Sequence, residues 1–340
     1  MRVLLIILFP LSLFSQIGGN STYQFLDVPI SARSAAIGGH NISVKNGDMN
    51  SVEDNPALID SAYVSNLSLN YINYIADINY GYVGFAKSIE KLGIINIGMQ
   101  YLNYGNFTRA DYTGQILGDF RAQDYSLNFS FAKQWDSTYS IGGTLKHIFS
   151  DYESYESFGL AVDLGGYYHS KSGLFTAGLV LNNMGVQLVG YTPGNRERLP
   201  FHVNLGLSQK FGHAPIRLNL VIQHLQKWDL TYAGSLVEEK ASFTSTSDKV
   251  LRHLIIGAEI LPSKNVFINF AYDYHKRQQL KLAVRTGLSG ISFGVGIKIS
   301  KFSLSYGRST YHLGGASNHL TVVTNLGDFK KKGKISNEEN

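Results

Sequence analysis

"DYSLNFSFAKQW" (Asp124–Trp135) alternates from Tyr125 to Phe131. Tyr125, Leu127, Phe129 and Phe131 are large and apolar, whereas Ser126, Asn128 and Ser130 between them are small and polar. A period of two places these sets on opposite faces of a β-strand. The same rhythm returns in "NLSLNY" (Asn66–Tyr71), "FHVNLGLSQKF" (Phe201–Phe211) and "GISFGVGIKIS" (Gly290–Ser300). Each time one face is greasy and the other carries Gly, Ser or Asn.

Fourteen such runs can be marked between residues 64 and 326. Each is long enough to cross a bilayer at a tilt, which takes roughly nine to eleven residues. The even-numbered runs end in tiny connections: "IEK", "DST", "SK", "GHA", "PS" and Ser300. Most odd-numbered runs end in long ones: Gly105–Phe120, Asn183–Pro200, Gln226–Lys249 and His275–Thr286. Loop length sorted by parity is the layout of an outer-membrane barrel, with short periplasmic turns and long outer loops. A soluble β-sandwich also alternates but has no reason to sort its loops this way. The expected fold is all-β: a closed, antiparallel, transmembrane barrel of about 14 strands. Lipid offers no partner to backbone groups, so the sheet must close. The apolar sets then face acyl chains, and sets such as Ser68/Asn70, Ser126/Asn128 and Asn204/Gly206/Ser208 face the lumen.

Composition agrees. Of 340 residues 16% are charged, Gly (35) and Tyr (21) are abundant, and Pro (7) is scarce. The charged share is below the quarter usual for soluble domains. Tyr71, Tyr74, Tyr80, Tyr82, Tyr101, Tyr104, Tyr167, Tyr168, Tyr272 and Tyr274 near run ends are expected to form interfacial girdles. Lys146, Asp163, Glu259, Asp273 and Lys298 are the candidate charged lumen residues. There is no Cys, which excludes disulfides, thiolate metal sites and a lipid-modified cysteine.

"MRVLLIILFPLSLFSQ" (1–16) has a positive start and an apolar run too short to span, and reads as a signal peptide. Residues 17–63 lack the strand period. In "DVPISARSAAIGG" the pattern suggests a short helix, with Pro29 near its first turn and Gly38-Gly39 at its end. In "DNPALIDSA", Asn55 suits an N-cap and Pro56 the first helical position, followed by Ala57. This segment is expected to be a hatch narrowing the lumen of a barrel at 64–326. Residues 327–340 form a basic tail with Lys330, Lys331, Lys332 and Lys334. The net charge of +5 is modest, and no basic, aromatic-interleaved motif points to nucleic acid.

No enzyme is expected. Ser-x-x-Lys occurs at Ser88–Lys91 and Ser130–Lys133, but the first is at a turn and the second puts its side chains on opposite strand faces. His312 and His319 would leave a metal site incomplete. Neither a phosphate-binding nor a dinucleotide fingerprint is present, so no cofactor or metal is expected.

A hatch with Asn-Pro-Ala ahead of fourteen strands resembles the FadL family of outer-membrane proteins. More narrowly, "GGNSTYQFLDVPISARSAAIGG" (Gly18–Gly39), "GDMNSVEDNPAL" (Gly47–Leu58), "ADINYGYVGFAK" (Ala76–Lys87) and "HLGGASNHLTVVTNLG" (His312–Gly327) resemble the PorQ family of the type IX secretion system of Bacteroidota. That resemblance implies a non-enzymatic barrel of the attachment complex, set in outer-membrane lipid and lipopolysaccharide, holding a PorZ-like surface protein among other secretion components. The alternative is a FadL-like transporter of hydrophobic small molecules. A kinked strand and an apolar lumen would favour transport, and the small polar lumen sets count against it.

Overall fold

The computed structural model describes residues 21–45, 48–74, 78–90, 93–231, 245–279, 288–312 and 315–329. The expected signal peptide and the four lysines of the tail lie outside these residues. Fourteen strands follow one another around a closed barrel. They are β1 (Asn66–Asn73), β2 (Asn79–Ile89), β3 (Gly93–Ala110), β4 (Ile116–Gln134), β5 (Tyr139–Tyr152), β6 (Tyr155–His169), β7 (Phe175–Val189), β8 (His202–Lys210), β9 (Ile216–Ile222), β10 (Leu254–Ser263), β11 (Val266–Asp273), β12 (Ile291–Ile299), β13 (Phe302–His312) and β14 (Gly315–Asn325). Every neighbouring pair is antiparallel, and β1 closes on β14 from Asn66↔Asn325 to Asn73↔Asn318. Closure leaves no sheet edge without a partner.

The faces are inverted relative to a soluble protein. In β4, Ser126, Asn128 and Ser130 are at most 2% exposed, while Leu127, Phe129 and Phe131 are 37–42% exposed. In β12, Ser292 is buried, whereas Phe293, Val295, Ile297 and Ile299 all face outward. A contiguous apolar belt of this kind in water would be an aggregation surface, and in a bilayer it matches its solvent. Among the described residues no helix is long and apolar enough to cross a membrane, which is immaterial to a chain that crosses with strands.

Three expectations need correction. Gly105–Phe120 is not a loop. β3 and β4 pair onward to Ala110↔Ile116, although β2 stops at Asn103 and β5 stops at Ala122. The result is a two-stranded ribbon standing beyond the barrel rim, with Phe107 stacked on Phe120 at 5.2 Å between ring centroids. Its tip is an Asx turn in which Asp111 Oδ1 accepts from Thr113 N (2.8 Å) and Gln115 N (3.0 Å). Glycines and polar residues dilute the alternation there, so the strands were not visible as a period. Likewise β7 runs to Val189, shortening the loop expected at Asn183–Pro200. Finally, Tyr80, Tyr82 and Tyr167 are buried rather than interfacial. Tyr80 and Tyr82 share parity with Ile72 and Asn70 on β1, so they point inward onto the hatch, as does Tyr167. Tyr71 and Tyr272 do face outward.

Residues 21–45 and 48–63 lie inside the barrel, with short helical pieces. Helix α1 (Ala32–Ala36) is capped by Ser31, whose Oγ accepts from Ser34 N at 3.1 Å. Pro29 therefore precedes the cap instead of sitting in the first turn. Gly38 (φ 102°) and Gly39 (φ 123°) end the helix, and Gly39 N donates to Ser34 O at 2.8 Å. Helix α2 (Ser51–Asp54) leads into 3₁₀ turns at Pro56–Leu58 and Ser61–Tyr63. In loops of the rim that carries the ribbon lie α3 (Thr246–Arg252) and α4 (Tyr274–Gln279).

Candidate functional site

The hatch is held against the wall by shape and by hydrogen bonds. Asn55 Oδ1 accepts from Ala57 N (3.0 Å), which caps the turn opened by Pro56. Its Nδ2 donates to Ile42 O (2.8 Å) and to Gly166 O on β6 (3.2 Å). Gly142, Gly165 and Gly178, on β5, β6 and β7, form the groove that receives this turn. A Cβ on Gly142 would stand 2.5 Å from the Pro56 carbonyl carbon, and one on Gly165 or Gly178 would strike Asn55 or Ile42. Asn55, Pro56 and Ala57 thus act together as a wedge fitted to a wall built without side chains.

Charge fixes the rest. Arg33 of α1 pairs with Glu259 of β10, and Arg217 of β9 pairs with the same carboxylate. The Arg33 guanidinium also lies 4.4 Å from the Phe267 ring centroid. Glu53 of α2 enters a polar pocket of the opposite wall. It accepts from Asn128 Nδ2 (2.6 Å) and Tyr82 Oη (2.9 Å). Burial pushes the Glu53 carboxyl up from its ordinary range, and these hydrogen bonds act in the other direction. Asp54 ties the two helices together by accepting from Ser34 Oγ (2.6 Å) and Asn41 N (3.0 Å).

The five candidate lumen charges do not form one site. Lys146 and Asp163 meet at 2.7 Å, both buried. They brace an irregularity between β6 and β7, where the register shifts between Val162 and Leu164 and Asn183 adopts φ 57°. Lys146 Nζ donates to Asn183 Oδ1 (2.8 Å), and Asn183 N donates to Asp163 Oδ1 (2.7 Å). Glu259 sits with its two arginines. Asp273 lies at the long-loop end, 3.6 Å from Lys276. Lys298 is exposed at the short-turn end. Arg33, Glu53 and Arg217 were missed by sequence reasoning. Arg217 had the lumen parity of Asn219, and Glu53 stood beside the quoted Asn-Pro-Ala, but neither carried a local pattern naming its partner.

Above the hatch a vestibule of about 920 Å³ opens at the long-loop mouth. Phe25, Tyr74, Ile78, Leu102, Leu199 and Leu230 supply its apolar wall. A row of imidazoles supplies the polar one: His40 to His202 (5.8 Å), His202 to His224 (5.8 Å) and His224 to His275 (6.4 Å) between ring centroids. Burial and its imidazole neighbours push His224 down to about 3, so it stays neutral at ordinary pH. No three His or carboxylate side chains among the described residues are placed to hold a metal. Asp27, at the inner edge of the vestibule, accepts from Asn183 Nδ2 (3.2 Å), and desolvation pushes it up to about 7. At the other mouth a second cavity, of about 630 Å³, lies below Arg33.

No family model and no curated protein matches the chain. Solved structures do. A ΔS2 mutant of the monoaromatic hydrocarbon channel TodX aligns with a TM-score of 0.52 at 14% identity, covering 87% of this chain and 97% of that one. A ΔS2S3 mutant of TodX gives 0.50 at 13%, covering 87% and 99%. The Pseudomonas putida toluene transporter TodX gives 0.48 at 12%, covering 87% and 96%. The fold is therefore the closed antiparallel barrel that the two TodX variants share with this chain.

Proposed function

We propose that this is a non-enzymatic outer-membrane barrel that anchors a second protein at the cell surface, as a PorQ-type component of type IX secretion holds its PorZ-like partner. The short turns then face the periplasm, and the long-loop mouth and the ribbon face outward. The observation that carries the reading is the β3–β4 ribbon. Tyr112 at its tip is fully exposed, and Ile116 and Leu117 beside it are more than half exposed. Two isolated strands are marginal in water, so a ribbon that exposes apolar side chains suits burial against a partner. The four sequence segments resembling the PorQ family support the same reading. The test removes residues 106–119, joins the strands by Asn-Gly, and purifies the barrel from outer membranes. The expected result is a folded barrel that no longer brings down its surface partner. Undiminished recovery of the partner after removal of the ribbon and of the loops at 190–201 and 223–253 refutes anchoring.

A second reading, a channel for hydrophobic small molecules, is favoured by the large vestibule and by the hydrocarbon channels that share the fold. A kinked strand, the other feature such a path would use, occurs at β7. At the irregularity its buried side chains are Asn182 and Asn183, and the Lys146–Asp163 pair crosses it, which counts against a greasy exit. Uptake of toluene into liposomes at a rate proportional to the protein present would favour the channel over the anchor.

A further inference from the structure

We propose that the short-turn mouth is a binding site for a phosphate-bearing anion. The inference rests on the outer-membrane reading only for the compartment this mouth faces. The cavity of about 630 Å³ is in the size range of small-ligand pockets. Six cationic side chains line it, against the carboxylates of Asp48 and Asp328. Three of the six are engaged. Arg33 and Arg217 form the roof and share Glu259, while Lys301 donates to Asp328 O (2.6 Å) and lies 4.4 Å from the Phe329 ring centroid.

The other three, Lys210, Lys264 and Lys298, form no ion pair among the described residues. They stand at the end of β8, in the β10–β11 turn and at the end of β12, so they occupy one sector of the rim. Asp48, the one hatch carboxylate here, is occupied by Asn50, whose N (3.0 Å) and Nδ2 (2.7 Å) donate to it. Ammonium groups gathered in a concave, protein-walled mouth repel one another and focus a positive potential into the cavity. Hydroxyls of Ser303 and Ser305 also line the wall and can donate to anionic oxygens. Lysines acting as point charges, with neutral donors beside them, match phosphate chemistry. The source is either a free phosphate compound or the headgroup of an anionic phospholipid at the membrane rim.

The test uses the full barrel in neutral detergent, with inorganic pyrophosphate titrated by calorimetry. The variants are the double substitution Lys264→Gln/Lys298→Gln and, as control, Lys227→Gln at the opposite mouth. In the second arm the same proteins are placed in nanodiscs of phosphatidylcholine with phosphatidylglycerol, and retained lipids are counted by native mass spectrometry. The expected result is saturable pyrophosphate binding that weakens about fivefold for each charge removed, from the attraction of unit charges at contact distance across water, and that Lys227→Gln leaves unchanged. Retention of phosphatidylglycerol that the double variant abolishes, without pyrophosphate binding, assigns the site to the lipid headgroup. No binding in either arm, or equal binding by the double variant shown folded by its heat-modifiable gel mobility, overturns the proposal. Neither result bears on partner anchoring, which is read by the ribbon deletion.

Discussion

The Arg33–Glu259–Arg217 cluster gives the sharpest energetic test, because one carboxylate serves two guanidinium groups on separate parts of the fold. Arg33 belongs to the hatch, and Glu259 and Arg217 belong to the wall. Arg33 is 5% exposed and Glu259 1%, so solvent screening is small. Replacing Arg33 by Met removes a charge-assisted hydrogen bond of about 1.5–3 kcal/mol and a cation–π contact of about 1 kcal/mol, while Glu259 keeps Arg217. Replacing Glu259 by Leu removes the buried carboxylate that both cations share and is expected to cost about 3–5 kcal/mol. Once Arg33 is gone, losing Glu259 breaks only its pairing with Arg217, so the double variant is expected to fall about 2 kcal/mol short of the sum. The assay is urea unfolding from lipid vesicles, followed by the gel mobility of folded and unfolded barrel, for wild type, both single variants and the double variant. Single-channel conductance in planar bilayers reports the hatch separately, and Arg33→Met is expected to raise it. Additivity within about 0.5 kcal/mol would mean that the pair does not couple hatch to wall.

The wedge should be equally sensitive to shape. Gly165→Leu drives a side chain into Asn55 and is expected to make the hatch protease-sensitive while the wall stays folded; a resistant hatch would show that the groove does not hold it. Lys146→Met leaves Asp163 buried without its cation, for an expected loss of about 3–5 kcal/mol, and Lys146→Met/Asp163→Leu should recover much of it in the same urea assay. Asp27 sets a pH dependence. Its carboxyl is pushed up to about 7 in the fold against an ordinary value of 3.8, so between those values the folded state binds more protons than the unfolded one. Stability of the docked Thr22–Asp27 segment must therefore fall as pH rises from about 4 to 7. Hydrogen exchange across that window should show the fall in wild type, and a flat profile in Asp27→Asn; an identical slope in both would remove Asp27 from the account.

Legibility differed by the kind of interaction. The wall was readable because lipid on one side and a packed lumen on the other impose a period of two, and "DYSLNFSFAKQW" displays it from Tyr125 to Phe131. The ribbon was not, because no bilayer constrains residues beyond the rim and Gly105, Gly114 and Gly118 break the alternation. Tyr80 and Tyr82 were misplaced because tyrosine serves both interfaces and polar pockets, and only their pairing with β1 tells which. The Asn55–Pro56 turn was local and therefore visible. Its groove was not, since Gly142, Gly165 and Gly178 lie on three strands and meet only in the closed barrel. The Glu259 cluster joins positions 33, 217 and 259, and no pattern in one dimension links them.

The central claim is that the inverted faces of β4 meet lipid outside and the hatch inside. The chain has no cysteine, so single-cysteine variants at consecutive positions from Tyr125 to Phe131 can each carry one spin label in a reconstituted membrane. Labels at Tyr125, Leu127, Phe129 and Phe131 should collide freely with dissolved oxygen and little with a water-soluble nickel chelate, whereas labels at Ser126, Asn128 and Ser130 should be immobile and shielded from both. A nickel signal at Leu127 and Phe129 equal to that of a water-exposed loop, or no alternation at all, would contradict the barrel and everything built on it.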